Sequence, residues 1–164
     1  MSRPENFHQL LALHTHWVTA DAVNHHLRRS SKMAADEMPG IMSPFVTALG
    51  GQLSMFHAVS VWYALLYVVV EGYRELDLHD KAVDSVLSEG NYVEELRRFR
   101  NAIFHYQEQV ISPKIMEFLE AKDSEIWIRR LNRALDRFLT NALGIKEDLE
   151  RWKLIDPSVS LLPE

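Results

Sequence analysis

The chain contains no cysteine. Disulfides, thiol nucleophiles and thiolate metal sites are therefore excluded, and a reducing compartment is permitted. The loop motifs of several familiar chemistries are missing as well: there is no glycine-rich phosphate loop, no Gly-x-Ser-x-Gly elbow and no His-Glu-x-x-His. Alternating apolar–polar runs of the strand type are absent, so no sheet is expected. Basic charge is in short supply, with 18 Lys and Arg against 23 Asp and Glu and a net charge of −5. Avid coating of duplex DNA requires a basic surface and is not expected.

What is present suits one globular domain. Hydrophobic residues make up 47% and charged residues 25% of 164 positions, enough for a single core. The start, Met1-Ser2-Arg3-Pro4-Glu5-Asn6, lacks the apolar stretch of a signal peptide, and a cytoplasmic location is expected.

Residues 5–29 read as a first helix, with Phe7, Leu10, Leu11, His14, Trp17, Val18 and Asp21 on one side, Leu13, Ala20 and Leu27 nearby, and Pro4 at its first turn. Five histidines lie here: His8, His14, His16, His25 and His26. Asp21 and His25 stand one turn apart, but His14 and His16 point to different faces, so no converging metal site is expected. Residues 30–51 hold Pro39, Pro44, Gly40, Gly50 and Gly51 and are expected to form a long loop whose methionines pack back on the body. Residues 52–76 form the most apolar helix, expected at the centre of the core with neighbours on nearly all sides. Glu71 closes that apolar run, where a half-buried carboxylate needs a partner. A short helix capped by Asp80 and ended by Gly90 follows.

The next helix is expected from Tyr92 to Val110. Tyr92, Leu96, Phe99, Ile103, Tyr106 and Val110 recur at steps of three and four on one face. Glu94, Arg97, Arg98, Asn101, His105 and Glu108 gather opposite, with Asn101 and His105 one turn apart and Arg100 on the flank. A brief helix around Ile115, Phe118 and Leu119 and a long one from Ile126 to Ala142 complete the main elements. Gly144 stops the latter, and a short helix over 145–154 precedes a tail over 155–164. The expected fold is all-α: an antiparallel four-helix bundle with short accessory helices, in one domain over 1–164.

Arginine, amide and imidazole on one helix suit a phosphodiester. The guanidinium fork matches phosphate oxygens, the imidazole moves protons near neutral pH, and the amide orients either without adding charge. The same residues also fit an ordinary solvated helix face. Arg129, Arg130, Arg133 and Arg137 form a second basic group that could line a small RNA cleft.

Arg100-Asn101-Ala102-Ile103-Phe104-His105 resembles the signature of the HEPN superfamily (higher eukaryotes and prokaryotes nucleotide-binding), in which an Arg, often followed by Asn, precedes a His by four to six residues on the third main helix. Four residues separate Arg100 from His105, and six separate Arg98 from His105, so either arginine fits. The resemblance implies a metal-independent endoribonuclease that needs no cofactor, acts as a homodimer, and belongs to a defence or toxin–antitoxin system with an antitoxin or other protein partner. Arg100 would hold phosphate, Asn101 would orient, His105 would transfer protons, and Glu71, Arg97 and Arg98 would support them. Glu71 would face the motif from the second helix. The family also contains members without catalysis, so a nucleotide-, RNA- or protein-binding helical module is the alternative, and no membrane role is implied. A structural bundle with a coincidental motif remains the third reading.

Overall fold

A computed structural model of the chain describes residues 6–33, 44–109 and 112–155, with side chains described for 6–27, 52–109, 112–150 and Arg151. Among the described residues the fold is all-helical: α1 (Phe7–Met33), α2 (Pro44–Glu75), α3 (Lys81–Leu87), α4 (Tyr92–Phe104), α5 (Pro113–Glu120), α6 (Ser124–Ala142) and α7 (Ile145–Ile155). The tail beyond Ile155 lies outside the described residues.

Helix α2 is the axis. Trp62, Tyr63, Ala64, Leu66, Tyr67, Val69, Val70 and Tyr73 are buried around most of its circumference, because α1 and α4 pack directly against it. Val68-Val69-Val70, β-branched and open locally to a strand reading, is helical. Helix α6 closes the core by packing on α1, α3 and α5, burying Trp127, Ile128, Leu131, Leu135 and Leu139 on one face. Rings bind the layers together. Tyr63, Phe99 and Phe118 meet pairwise at 5.4–6.0 Å between centroids, and Trp127 donates its indole N–H to the Val86 carbonyl at 2.9 Å.

Helix ends follow local chemistry. The Asp80 carboxylate accepts from the N–H groups of Ala82 and Val83 at the start of α3. Gly144 takes φ +64° just past α6, the left-handed conformation that lets glycine end a helix. Gly72 makes room for α1 against α2, since a Cβ there would lie 2.7 Å from Leu13 Cδ1.

Three expectations are corrected. Helix α1 runs on to Met33 and α2 begins at Pro44, so residues 30–33 and 44–51, expected in the loop, are helical. Pro44 opens α2, where its missing N–H has no intrahelical partner to lose. Gly50 and Gly51 cost about 1 kcal/mol each in helix propensity, a cost that the packing of so long a helix offsets. The remainder of the expected loop, 34–43, lies outside the described residues.

The buried face of α1 is also rotated. Leu10, Leu13, Ala20 and Asn24 are buried, while Leu11 and Val18 are exposed. Asn24 lies inside because it belongs to a polar seam between α1 and α6. There Trp17 donates to Asn132 Oδ1 (3.2 Å), and Asn132 and Asn24 each donate to Asp21 Oδ1 (3.3 Å).

The third correction concerns α4, which ends at Phe104 rather than Val110. Helix α5 runs back along α4, pairing Phe118 with Phe99 and Glu117 with Arg98. A helix continued to Val110 would leave too little chain to reverse before Pro113. Gln107 holds the connecting segment by donating to the carbonyls of His105 and Tyr106. Tyr106, expected on the apolar face, is therefore 90% exposed, and Val110 lies outside the described residues.

Two tests of stability follow from this packing. Leu131→Ala, at a fully buried position, is expected to cost about 2–5 kcal/mol in denaturant unfolding. Burial at the α1–α6 seam, opposed by the Asp136 charge, holds the His14 pKa below its ordinary value, so the folded state favours neutral His14. Its contribution is present above the unfolded-state pKa and is lost as pH falls through and below that value. His14→Gln should flatten the loss of stability between pH 7 and pH 5 in thermal melts.

Candidate functional site

The site lies where the outer edge of α4 meets the last turns of α2. Glu71 and Arg100 are brought together, with Arg100 Nη2 donating to Glu71 Oε2 at 3.1 Å. The other arm of the fork, Nη1, donates to Asn101 Oδ1 at 3.0 Å. Beneath it the guanidinium carbon stands 6.0 Å from the Tyr67 ring centroid, within cation–π range. Arg100 is thus fixed by a carboxylate, an amide and a ring, with 27% of its side chain still exposed. Its Nε is buried without a hydrogen-bond partner among the described residues. Desolvation, followed by the Glu71 charge, pushes the Tyr67 phenol pKa up.

Successive residues on a helix turn by about 100°, and this separates the three arginines. Arg98 lies about 200° from Arg100 and points to α5, where Nη1 donates to Glu117 at 3.2 Å. Its Nε, too, is buried and unpartnered among the described residues. Arg97 falls about 60° from Arg100 and grips Glu94 on its own helix through two bonds of 2.9 and 2.6 Å. That bidentate contact holds the Glu94 carboxyl below the usual carboxylate range. Of the three arginines, Arg100 is the one that meets Glu71, whereas Arg98 meets Glu117 and Arg97 meets Glu94.

His105 is not where a longer helix would put it. It occupies the C-cap position in extended conformation, φ −115° and ψ 148°, and its backbone N–H donates to the Asn101 carbonyl. The imidazole is exposed. His105 thus closes the last turn of α4 through its backbone, one turn beyond Asn101, and the chain leaves the helix after it.

The second basic group does not join this site. Helix α6 packs on α1, α3, α5 and α7. Its Arg129 pairs with Glu125, and its Arg130 is held by Glu89 through two hydrogen bonds. Two surface cavities, of about 320 and 280 Å³, are lined by other residues, among them Tyr73, Arg74 and His79 in one and Tyr92 and Lys122 in the other. Among the described residues no group of three or more His, Asp or Glu side chains is arranged to hold a metal ion.

Reading the sequence missed Tyr67, Glu117 and Phe104. Tyr67 lies one turn before Glu71 on α2 and could have been found from that spacing. Phe104 follows Arg97 and Arg100 at helical intervals on the polar side, a position where a large exposed ring is unusual. Glu117, which depends on the antiparallel pairing of α4 and α5, has no signal in the sequence.

Comparison with known proteins adds no relative: the chain matches no protein-family model, no curated protein and no solved structure.

Because Glu71 and Arg100 are both partly exposed, their ion pair is expected to contribute less than about 1 kcal/mol. Glu71→Gln should therefore leave the denaturation midpoint nearly unchanged. A loss of several kcal/mol would show that the pair holds α2 and α4 together instead of presenting Arg100.

Proposed function

We propose that this chain acts on RNA as a metal-independent endoribonuclease of the HEPN type. The observation that carries this reading is the Glu71–Arg100–Asn101 constellation. The carboxylate expected to face the motif from the second main helix lies 3.1 Å from the motif arginine, and the exposed His105 follows at the end of the same helix. In the fold that goes with this reading, α1, α2, α4 and α6 make an antiparallel four-helix bundle and α3, α5 and α7 are accessory. It is supported by the packing of α1 on α2 and α6, and of α2 on α4.

The reaction is transesterification. The RNA 2′-hydroxyl attacks the adjacent phosphorus, the bond from phosphorus to the 5′-oxygen breaks, and the products are a 2′,3′-cyclic phosphate and a 5′-hydroxyl end. One imidazole takes the 2′-hydroxyl proton while a second donates a proton to the leaving oxygen. A two-fold dimer would supply both from two copies of His105. Arg100, turned from Glu71 toward phosphate, would stabilise the added charge on the phosphoryl oxygens. The proposal includes a defence or toxin–antitoxin setting, a protein antitoxin as partner and a cytoplasmic location. The segment Gln52–Glu75 is long and apolar enough to cross a membrane by length and composition. It is read as a core helix because Trp62 to Tyr73 are largely buried by neighbouring helices.

A second reading, a non-catalytic RNA- or nucleotide-binding module, is favoured by one specific feature. Arg97, Arg98 and Arg100 are each already held by a carboxylate.

The test is cleavage of a mixed single-stranded RNA pool in EDTA by the parent, His105→Ala and Arg100→Ala. The nuclease reading expects cyclic-phosphate ends from the parent and a loss of at least 100-fold in each variant, in line with the usual contribution of acid–base and oxyanion groups. Cleavage of DNA, or a strict need for a divalent ion, would overturn it. RNA retained by a folded parent without cleavage would establish the binding module.

A further inference from the structure

The polar stripe of α4 ends in rings that the core does not use. Phe104 is 48% exposed and Tyr106 is 90% exposed, with the exposed His105 between them. Large apolar side chains left in water beside one another mark a contact surface. Phe104 falls within about 20° of Arg97 around the helix, and it stands four residues, or about 6 Å, beyond Arg100 along the axis. A guanidinium, an amide and a ring thus follow one another on one edge, at roughly the reach from a nucleotide's phosphate to its own base.

Electrostatics alone cannot supply the affinity here. The chain carries −5 overall, and each of the three arginines must loosen its carboxylate before it meets a phosphate. Base stacking does not carry that penalty. It is sequence-tolerant, because every base has a flat face, and it requires bases that are unpaired, since a duplex hides those faces. We propose that Phe104 and Tyr106 form a stacking platform for unpaired bases, so that the site takes single-stranded RNA and rejects duplex, with Arg100 and Asn101 facing the intervening phosphate. This rests on the reading that the motif engages RNA, whether or not it cuts.

The experiment is fluorescence anisotropy with a labelled single-stranded RNA 12-mer of mixed sequence, the same strand annealed to its complement, and the same strand with abasic residues. The proteins are the full-length parent, Phe104→Ala, Tyr106→Ala, Tyr106→Phe and Arg100→Ala. The parent is expected to prefer single strand over duplex by at least 10-fold. Each alanine at an aromatic position should weaken single-strand binding by roughly 5- to 100-fold, the range of one lost base stack. Tyr106→Phe should bind like the parent, and the abasic strand should bind the parent as weakly as the normal strand binds the alanine variants. Both positions are exposed, so circular dichroism melts should be unchanged.

If the parent binds single strand and Arg100→Ala weakens it while Phe104→Ala and Tyr106→Ala do not, the platform is overturned and the RNA reading stands. If the parent binds no RNA at all, that reading and this one fall together. If the aromatic variants bind RNA like the parent but sediment as smaller species than the parent, the rings belong to a protein interface and the platform is likewise overturned.

Discussion

From Ser60 to Val70 the chain carries no charged residue and is mostly buried, and most of the structure follows from hiding that stretch. An amphipathic helix needs one neighbour, whereas a helix apolar on nearly every side needs several. Helices α1 and α4 supply them directly, and α6 closes the core by packing on α1, α3 and α5. The aromatic contacts among Tyr63, Phe99 and Phe118 carry the same core outward to α5. The candidate site sits where this demand ends. Glu71 is the first charge after the apolar run, and the last turns of α2 are where covering helices give way to water. A carboxylate at that border retains some solvent and still finds a cation across the groove, which is the situation in which an ion pair orients a side chain without dominating stability.

Orientation is the main consequence for Arg100. Its fork is divided between Glu71 and Asn101, and its plane lies over Tyr67. Burial and the nearby Glu71 charge push the pKa of the phenol beneath it up. An arginine in this setting is preorganised, and preorganisation lowers the entropy lost when a ligand is engaged. The same bonds also compete with a ligand. Phosphate must take the place of a carboxylate that is already well positioned, so the net electrostatic gain is small and neighbouring rings gain importance. On the proposed RNA reading, this gives the exposed rings of Phe104 and Tyr106 their part at this edge.

Local composition made the helices legible. The N-cap at Asp80, the stop at Gly144, the apolar steps of α6 and the charge at the end of α2 are all properties of neighbouring residues. The partnership of Glu71 with Arg100 could be anticipated because a half-buried carboxylate needs a partner. Faces and ends were less legible. In α1 the apolar residues Leu11 and Val18 face water while Asn24 is buried, because the Asn132–Asp21 seam with α6 satisfies the amide. A polar residue inside and an apolar one outside cannot be read from one helix when the carboxylate that accepts from it is itself held by a side chain more than a hundred residues away.

The sequence by itself determined that this protein is all-helical, that its most apolar helix lies at the centre, and that an arginine, an amide and an imidazole follow one another near its middle. These are matters of propensity, periodicity and order, which act within a few residues. Only the tertiary structure decided what those three groups can do together. The antiparallel return of α5 ends α4 at Phe104, which places His105 at the helix end and leaves Tyr106 in water. The rotation of about 200° between Arg98 and Arg100 sends one to Glu117 and the other to Glu71. Both outcomes depend on where a second helix lies, and a helix's own sequence does not encode the position of its neighbour.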